Sequence, residues 1–447
     1  MAVADRPEHL REQVEQMLRR NRVEEMRCWN GSSRRVVYHA PSLGSEPTRW
    51  LSWLVWPWRE LVRPWRVRYP HQWFWDSCAH AIVLSHLDLE LAKAEIEALL
   101  YAQREDGFIA HIIWNKAKMH WLDRLASRVY PWRYASPYLQ PSLLAEAVEA
   151  IYAKEGDRQF VSAVLPAVKK YYHYLDRARN LSRDGLLEII ISYESGKDRS
   201  PEYDEVYGTI RLWPLPVMRL VNRQRRLGWD VGRILASNSF RVKDLLFNCV
   251  YAQNLMALSR LCLAAGDGEA EFFHSRAQTT EAAILSRMYH AESGLFFSLD
   301  ARSGQERQIR VSTVSALLPL MLDSISQPQV DRLVRGYLTN PSEFWADYPV
   351  PAEPLSSPHR KKLQIWRGQQ TWVYTNWFIV RGLRKQARRF PQQGQDYNSI
   401  AATITDKTCQ LVEQEGFREY YDSRTGQGCR ARNFGWSALV LDMVYNK

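Results

Sequence analysis

NCVYAQNLMALSRLCLAAG, residues Asn248 to Gly266, places apolar side chains three and four positions apart along its whole length. That repeat belongs to a helix with a buried face; a strand would alternate with period two. The same spacing recurs in Leu87–Gln103, Leu143–Gly156, Ala163–Arg179, Phe273–Tyr289, Val314–Ile325, Thr371–Arg389, Tyr397–Gly416 and Phe434–Asn446. The chain therefore reads as all-α. Glycine-containing acidic turns follow several of these stretches, at SRDGLLE (182–188), AESGLFF (291–297) and DSRTGQG (422–428), and hint at a repeated helix-pair unit. Helix pairs repeated about an axis would form a toroid whose loops at one end make a broad pocket, and loops on a rigid scaffold are where function concentrates.

With 447 residues, 46% of them hydrophobic, the chain can bury a large core. No proline-, glycine- or serine-rich linker divides it, so residues 1–447 are expected to form a single domain, with 1–45 as a helical or irregular N-terminal extension. No window of about eighteen uncharged apolar residues exists, and the N-terminus MAVADRPEHLREQVEQMLRR lacks the apolar segment of a signal peptide. A soluble, cytoplasmic protein with no membrane partner is expected. The six cysteines (Cys28, Cys78, Cys249, Cys262, Cys409, Cys429) form no CxxC pair, which suits reduced thiols and argues against a zinc site. The net charge of +11 invites a nucleic-acid reading. That reading is the weaker one, because the basic residues are dispersed, with short clusters only at Arg223–Arg226 and His359–Lys362 and no accompanying motif. A basic surface also attracts a small anionic substrate.

Four loops carry the unusual residues. QWFWDSCAHA (72–81) holds Trp73, Phe74 and Trp75, ordinary core candidates, and Asp76, which either caps a helix starting near Ser77 or accepts hydrogen bonds from a hydroxylated ligand. His71 and His80 have no third ligand at metal-like spacing. ISYESGKDRSPEYD (191–204) gathers Glu194, Asp198, Glu202 and Asp204 around Gly196; helix-start acids are the plain reading, and a carboxylate projecting into a pocket is the sharper one. IWRGQQTWVYTNW (365–377) offers Trp366 and Arg367, the latter a hydrogen-bond fork or a structural salt bridge. GFREYYDSRTGQGCRARNFGW (416–436) sets Glu419 beside Tyr420 and Tyr421. Aromatic faces for sugar rings, carboxylates and an arginine for hydroxyls, and two separated acidic loops together suit glycosidic cleavage. No nucleophile elbow, phosphate loop or metal motif competes, and no cofactor is expected.

The segments QWFWDSCAHA, ESGKDRSP, WRGQQTWVYTNW and FREYYDSRTGQG, in this order, resemble those of glycoside hydrolase family 63. The resemblance spans residues 69 to 436 and, with the short chain length, is most like the bacterial mannosylglycerate and glucosylglycerate hydrolases of that family. It implies an (α/α)6 toroid and an inverting α-glycosidase acting on a small α-glucoside or α-mannoside. It also implies roles: Asp198 as general acid, Glu419 as general base and Asp76 as a sugar binder. Trp75, Trp366 and Arg367 become pocket-wall residues, and Gln72, Tyr420 and Arg430 join the expected substrate-binding set. An inverting pair stands roughly 6.5 to 9.5 Å apart, leaving room for a water. Two departures stand out. Arg199 follows the acid where the family has asparagine, and a neighbouring cation favours the ionised carboxylate. GCRARNFGW replaces a more glycine-rich, less basic segment, which makes Arg430 and Arg432 candidates for an anionic aglycone such as glycerate. The alternatives are an oligosaccharide α-glucosidase, debranching or trehalase-like hydrolase, and a carbohydrate-binding toroid without turnover.

Overall fold

The computed structural model describes residues 6–44, 68–119, 124, 127–132, 134–208, 215–359 and 363–446. The basic stretch 360–362 lies outside them. The helices that build the body are α1 (Arg6–Asn21), α2 (Phe74–Leu84), α3 (Leu89–Tyr101), α4 (Leu144–Glu155), α5 (Arg158–Arg179) and α6 (Leu215–Arg226). They continue as α7 (Leu245–Ala265), α8 (Ala270–Ala283), α9 (Val373–Arg389), α10 (Pro391–Glu415) and α11 (Leu439–Tyr445). The stretch 248–266 forms the body of α7. Asp244 caps its start, accepting from the Phe247 amide at 2.8 Å. Gly266, at φ 70°, ends it in the left-handed conformation that a Cβ would disfavour.

Among the described residues an inner ring closes on itself. Each member packs on the next in the order α2, α4, α7, the 3-10 helix Val314–Met321, α9 and α11, and α11 returns to α2. Outside it, α3 covers α2, α5 and α8 cover α7, and α10 covers α9. The composition follows the position: every residue of α2 is buried, whereas α10 buries only one stripe. This is the (α/α)6 toroid. No described helix is long and apolar enough to cross a membrane, and the six cysteines are free thiols.

The chain is not purely helical. Residues 22–39 form an antiparallel hairpin, β1 (Arg22–Trp29) with β2 (Ser32–His39). Short strands also fasten the loops: β3 (Gln72–Trp73) pairs with β4 (Ile112–Ile113), and β5 (Leu363–Gln364) with β6 (Arg367–Gly368). A three-stranded sheet contains β7 (Gln370–Thr371), β8 (Arg418–Asp422) and β9 (Gly428–Arg432). The two-residue strands among these leave no periodic trace in the sequence. The N-terminal segment is also more than an appendage. Leu10, Val14, Met17 and Leu18 of α1 join the main core, and α1 packs on the closing helix α11. From β1, Arg27 donates to Gln72 Oε1 at 2.6 Å and to the Ala98 carbonyl at 2.8 Å.

Candidate active site

The four loops meet. Helix α2 begins at Phe74, three residues before the start read from the sequence, and Trp73 at its N-cap position makes no side-chain capping bond. Asp76 thus lies in the first turn and does not cap. It is buried, and its Oδ1 has no hydrogen-bond partner among the described residues. Burial pushes its carboxyl well above the usual range, and the nearby charges of Glu419 and Glu95 add to that. An unpartnered carboxylate oxygen in such a place is costly unless something else supplies a donor.

Loop 191–204 is pressed onto the start of α2. Gly196, at φ 73°, puts its backbone against the Trp75 indole so tightly that a Cβ there would stand 2.3 Å from Trp75 Cη2. The four carboxylates of this loop then separate by partner. Glu194 takes a forked pair from Arg179, at 2.5 and 2.8 Å, and the amides of Leu139 and Ile190 at 2.9 Å each. Glu202 binds Lys197 Nζ, which is also 3.2 Å from Asp244. Asp204 takes both terminal nitrogens of Arg367, at 2.5 and 2.8 Å. Asp198 has no ion pair among the described residues; only its backbone carbonyl is held, by Ser192 Oγ at 2.8 Å. Burial raises its pKa to about 7, against the pull of Arg430; Glu419 raises it further, and Arg199 is a lesser opposing charge. The cation that follows Asp198 in sequence therefore does not overturn the effect of desolvation.

Glu419 lies on β8 at a register shift in its pairing with β9, a bulge of the kind that re-aims side chains. Its carboxylate accepts from Tyr69 Oη at 3.0 Å and lies 3.4 Å from both the Ala431 amide and Arg430 Nε. Its own carbonyl accepts from Trp436 Nε1 at 3.2 Å. Behind it is an aromatic wall. Trp366 stacks on Trp372 at 4.0 Å with the rings 1° apart, Tyr420 leans on Trp372 at 4.7 Å, and Trp436 meets the Trp75 ring at 5.7 Å. Asp198 and Glu419, from loops 221 positions apart by subtraction of their numbers, thus share one electrostatic neighbourhood with Arg430 and Asp76.

One carboxyl protonated near neutrality beside another ringed by donors is the arrangement acid–base hydrolysis of a glycoside needs. The comparisons agree. The family model for the mannosylglycerate hydrolase MGH1-like glycoside hydrolase domain matches residues 69–437, which contain all four loops. The chain belongs to this family of glycoside hydrolases. Mannosylglycerate hydrolase of Thermus thermophilus is 28% identical over 409 residues, covering 83% of this chain and 93% of that one. Glucosylglycerate hydrolase of Mycolicibacterium hassiacum is 23% identical, with 84% and 92% covered. The crystal structure of a GH63 mannosylglycerate hydrolase from Thermus thermophilus in complex with glucose superposes with a TM-score of 0.76 at 26% identity, over 98% of this chain and 100% of that one.

In this MGH1-like hydrolase two expected substrate binders have other commitments. Gln72 accepts from Arg27 and donates to Ser77 Oγ at 3.0 Å, and Arg367 is forked on Asp204 while also donating to the Arg199 carbonyl at 3.3 Å. Both side chains are buried in those contacts and brace the loops. Tyr69, which sequence reasoning passed over, contacts Glu419 from 350 positions away; no local spacing could signal it. Gly196 yields a first prediction. Gly196→Ala keeps the hydrolase folded but displaces the Asp198 loop from Trp75, and kcat/KM falls about 10²-fold. Steady-state kinetics beside a circular dichroism melt check it, and an unaffected rate contradicts it.

Proposed function

We propose that this hydrolase cleaves a small α-glycoside of glycerate, mannosylglycerate or glucosylglycerate, with inversion. Asp198 is the general acid and Glu419 the general base. The observation that carries this reading is the contrast between the two carboxyls: Asp198 is raised to about 7 by burial and makes no direct ion pair among the described residues, whereas Glu419 accepts from Tyr69 and faces Arg430. Asp198 passes its proton to the glycosidic oxygen as the bond to the anomeric carbon breaks. Water adds to that carbon from the opposite face and gives a proton to Glu419. Sugar and glycerate leave, and the two carboxyls exchange protons with solvent to reset. Asp76 accepts from a sugar hydroxyl through its unpartnered Oδ1, and Trp75, Trp366 and Tyr420 shape the wall around it, with Gln72 and Arg367 bracing from behind.

Support for the substrate class comes from relatives whose names specify mannosylglycerate and glucosylglycerate, and from a relative crystallised with Tris and D-glycerate. The basic balance of +11 favours an anionic substrate. Incubation with mannosylglycerate, glucosylglycerate, trehalose and short α-glucans tests it. Release of glycerate outpacing cleavage of the neutral substrates is expected; preference for the glucans contradicts it.

The acid sets the pH dependence. A raised pKa means that Asp198 keeps its proton up to about 7 and loses it above. The prediction is that kcat/KM falls along a limb whose midpoint lies near that value, approaching about tenfold per pH unit beyond it. A rate flat from pH 6 to 9 contradicts the assignment of Asp198.

A further inference from the structure

Arg430 occupies a backbone position that suits glycine. Arg418 pairs with Arg432 and Tyr420 with Cys429, so Arg430 and Ala431 together oppose the single residue Glu419. In a one-residue bulge of this kind the left-handed position is normally filled by glycine. Here Arg430 holds φ 59°, a region that L side chains rarely adopt. The strained position aims the guanidinium back across the bulge. Arg430 Nη2 donates to Tyr69 Oη at 3.2 Å, and Arg430 Nε stands 3.4 Å from Glu419 Oε2. Because Tyr69 accepts from Arg430, its own proton is directed at Glu419 Oε1, 3.0 Å away. Burial works against the Arg430 charge, but Glu419, Tyr69, Tyr420 and Asp198 around it hold the guanidinium above its ordinary value.

We propose that Arg430 is a positioning residue for the general base: through Tyr69 and by direct contact it fixes the orientation of the Glu419 carboxylate opposite Asp198. This rests on the assignment of Glu419 as base. It departs from the aglycone-binding role expected of Arg430 from its sequence position. The side chain is only 11% exposed, and its Nη2 and Nε already engage Tyr69 and Glu419. Strain retained at a non-glycine residue beside reacting groups is a frequent mark of function.

The test compares Arg430→Ala with Arg430→Gly on two substrates, the glycerate glycoside and an uncharged aryl glycoside of the same sugar. Both variants are expected to lose about 10- to 100-fold in kcat on both substrates, the scale of a charge-assisted hydrogen bond, with KM changed less than about twofold. The activities of the two match, but Arg430→Gly melts higher, because glycine relieves the left-handed backbone. Low concentrations of guanidinium chloride restore part of kcat in Arg430→Gly and none in the wild type. The alkaline limb of the pH profile moves upward, since one of the cations facing Asp198 is gone; Arg199, Glu419, Tyr193 and Tyr207 remain around it. Wild-type kcat in Arg430→Ala overturns the proposal, as does a loss confined to KM for the glycerate glycoside, which would make Arg430 an aglycone receptor. If Glu419→Gln keeps full activity, the assignment of the base fails instead, whatever Arg430 does.

Discussion

Asp198→Asn and Glu419→Gln each lower kcat/KM on the natural glycoside by about 10³-fold, within the range general acid–base groups contribute. The two losses separate by leaving group. An aryl glycoside with an acidic phenol departs without a proton, so Asp198→Asn recovers much of its rate on such a substrate, whereas Glu419→Gln does not, because water must still be deprotonated. The difference follows from the sites. Asp198 is half-buried near Tyr193 and Tyr207, has no ion pair among the described residues and keeps its proton to about 7. Glu419 is placed by a strand bulge and approached by Tyr69 and Arg430. Kinetics of both variants on both substrate types check the prediction; full recovery of Glu419→Gln on the aryl substrate would exchange the two roles.

Glu194→Gln is expected to be the most destabilising single change in the acid loop, by about 3–5 kcal/mol. Glu194 and Arg179 are both fully buried, and Glu194 also receives the Leu139 and Ile190 amides, so four donors converge on one carboxylate beneath Asp198. Removing its charge strands a guanidinium in the core. The double variant Arg179→Met/Glu194→Leu should cost less than the sum of the two single changes, since neither charge is then left alone. Denaturant melts of the three proteins measure this, and additive losses would show that the pair is not coupled. Activity falls with Glu194→Gln as well, because the loop it supports carries Asp198, the proposed acid.

Much of this was legible in the residues. The three-and-four spacing at 248–266 and 371–389 marks inner helices α7 and α9 directly, whereas Asp198, Glu419 and Asp76 were singled out only by the family resemblance of the four loops. What escaped was long-range. Nothing in loop 191–204 distinguishes Asp198 from Glu194, Glu202 or Asp204 until Arg179, Lys197 and Arg367 are seen to take the other three. The spacing likewise cannot show that α1 packs on the closing helix α11, an association set by side-chain contacts across the whole chain. Arg367 read as either a hydrogen-bond fork or a structural salt bridge, and the sequence could not choose because its partner Asp204 lies 163 positions earlier. Tyr69 drew no reading at all for the same reason.

In the proposed mechanism Asp198 and Glu419 work on opposite faces of an α-linked sugar, with a water between Glu419 and the anomeric carbon. Proton NMR of the first sugar released from mannosylglycerate or glucosylglycerate, recorded before mutarotation, reads this most directly. The β-anomer appearing first is the predicted result; the α-anomer appearing first would contradict it.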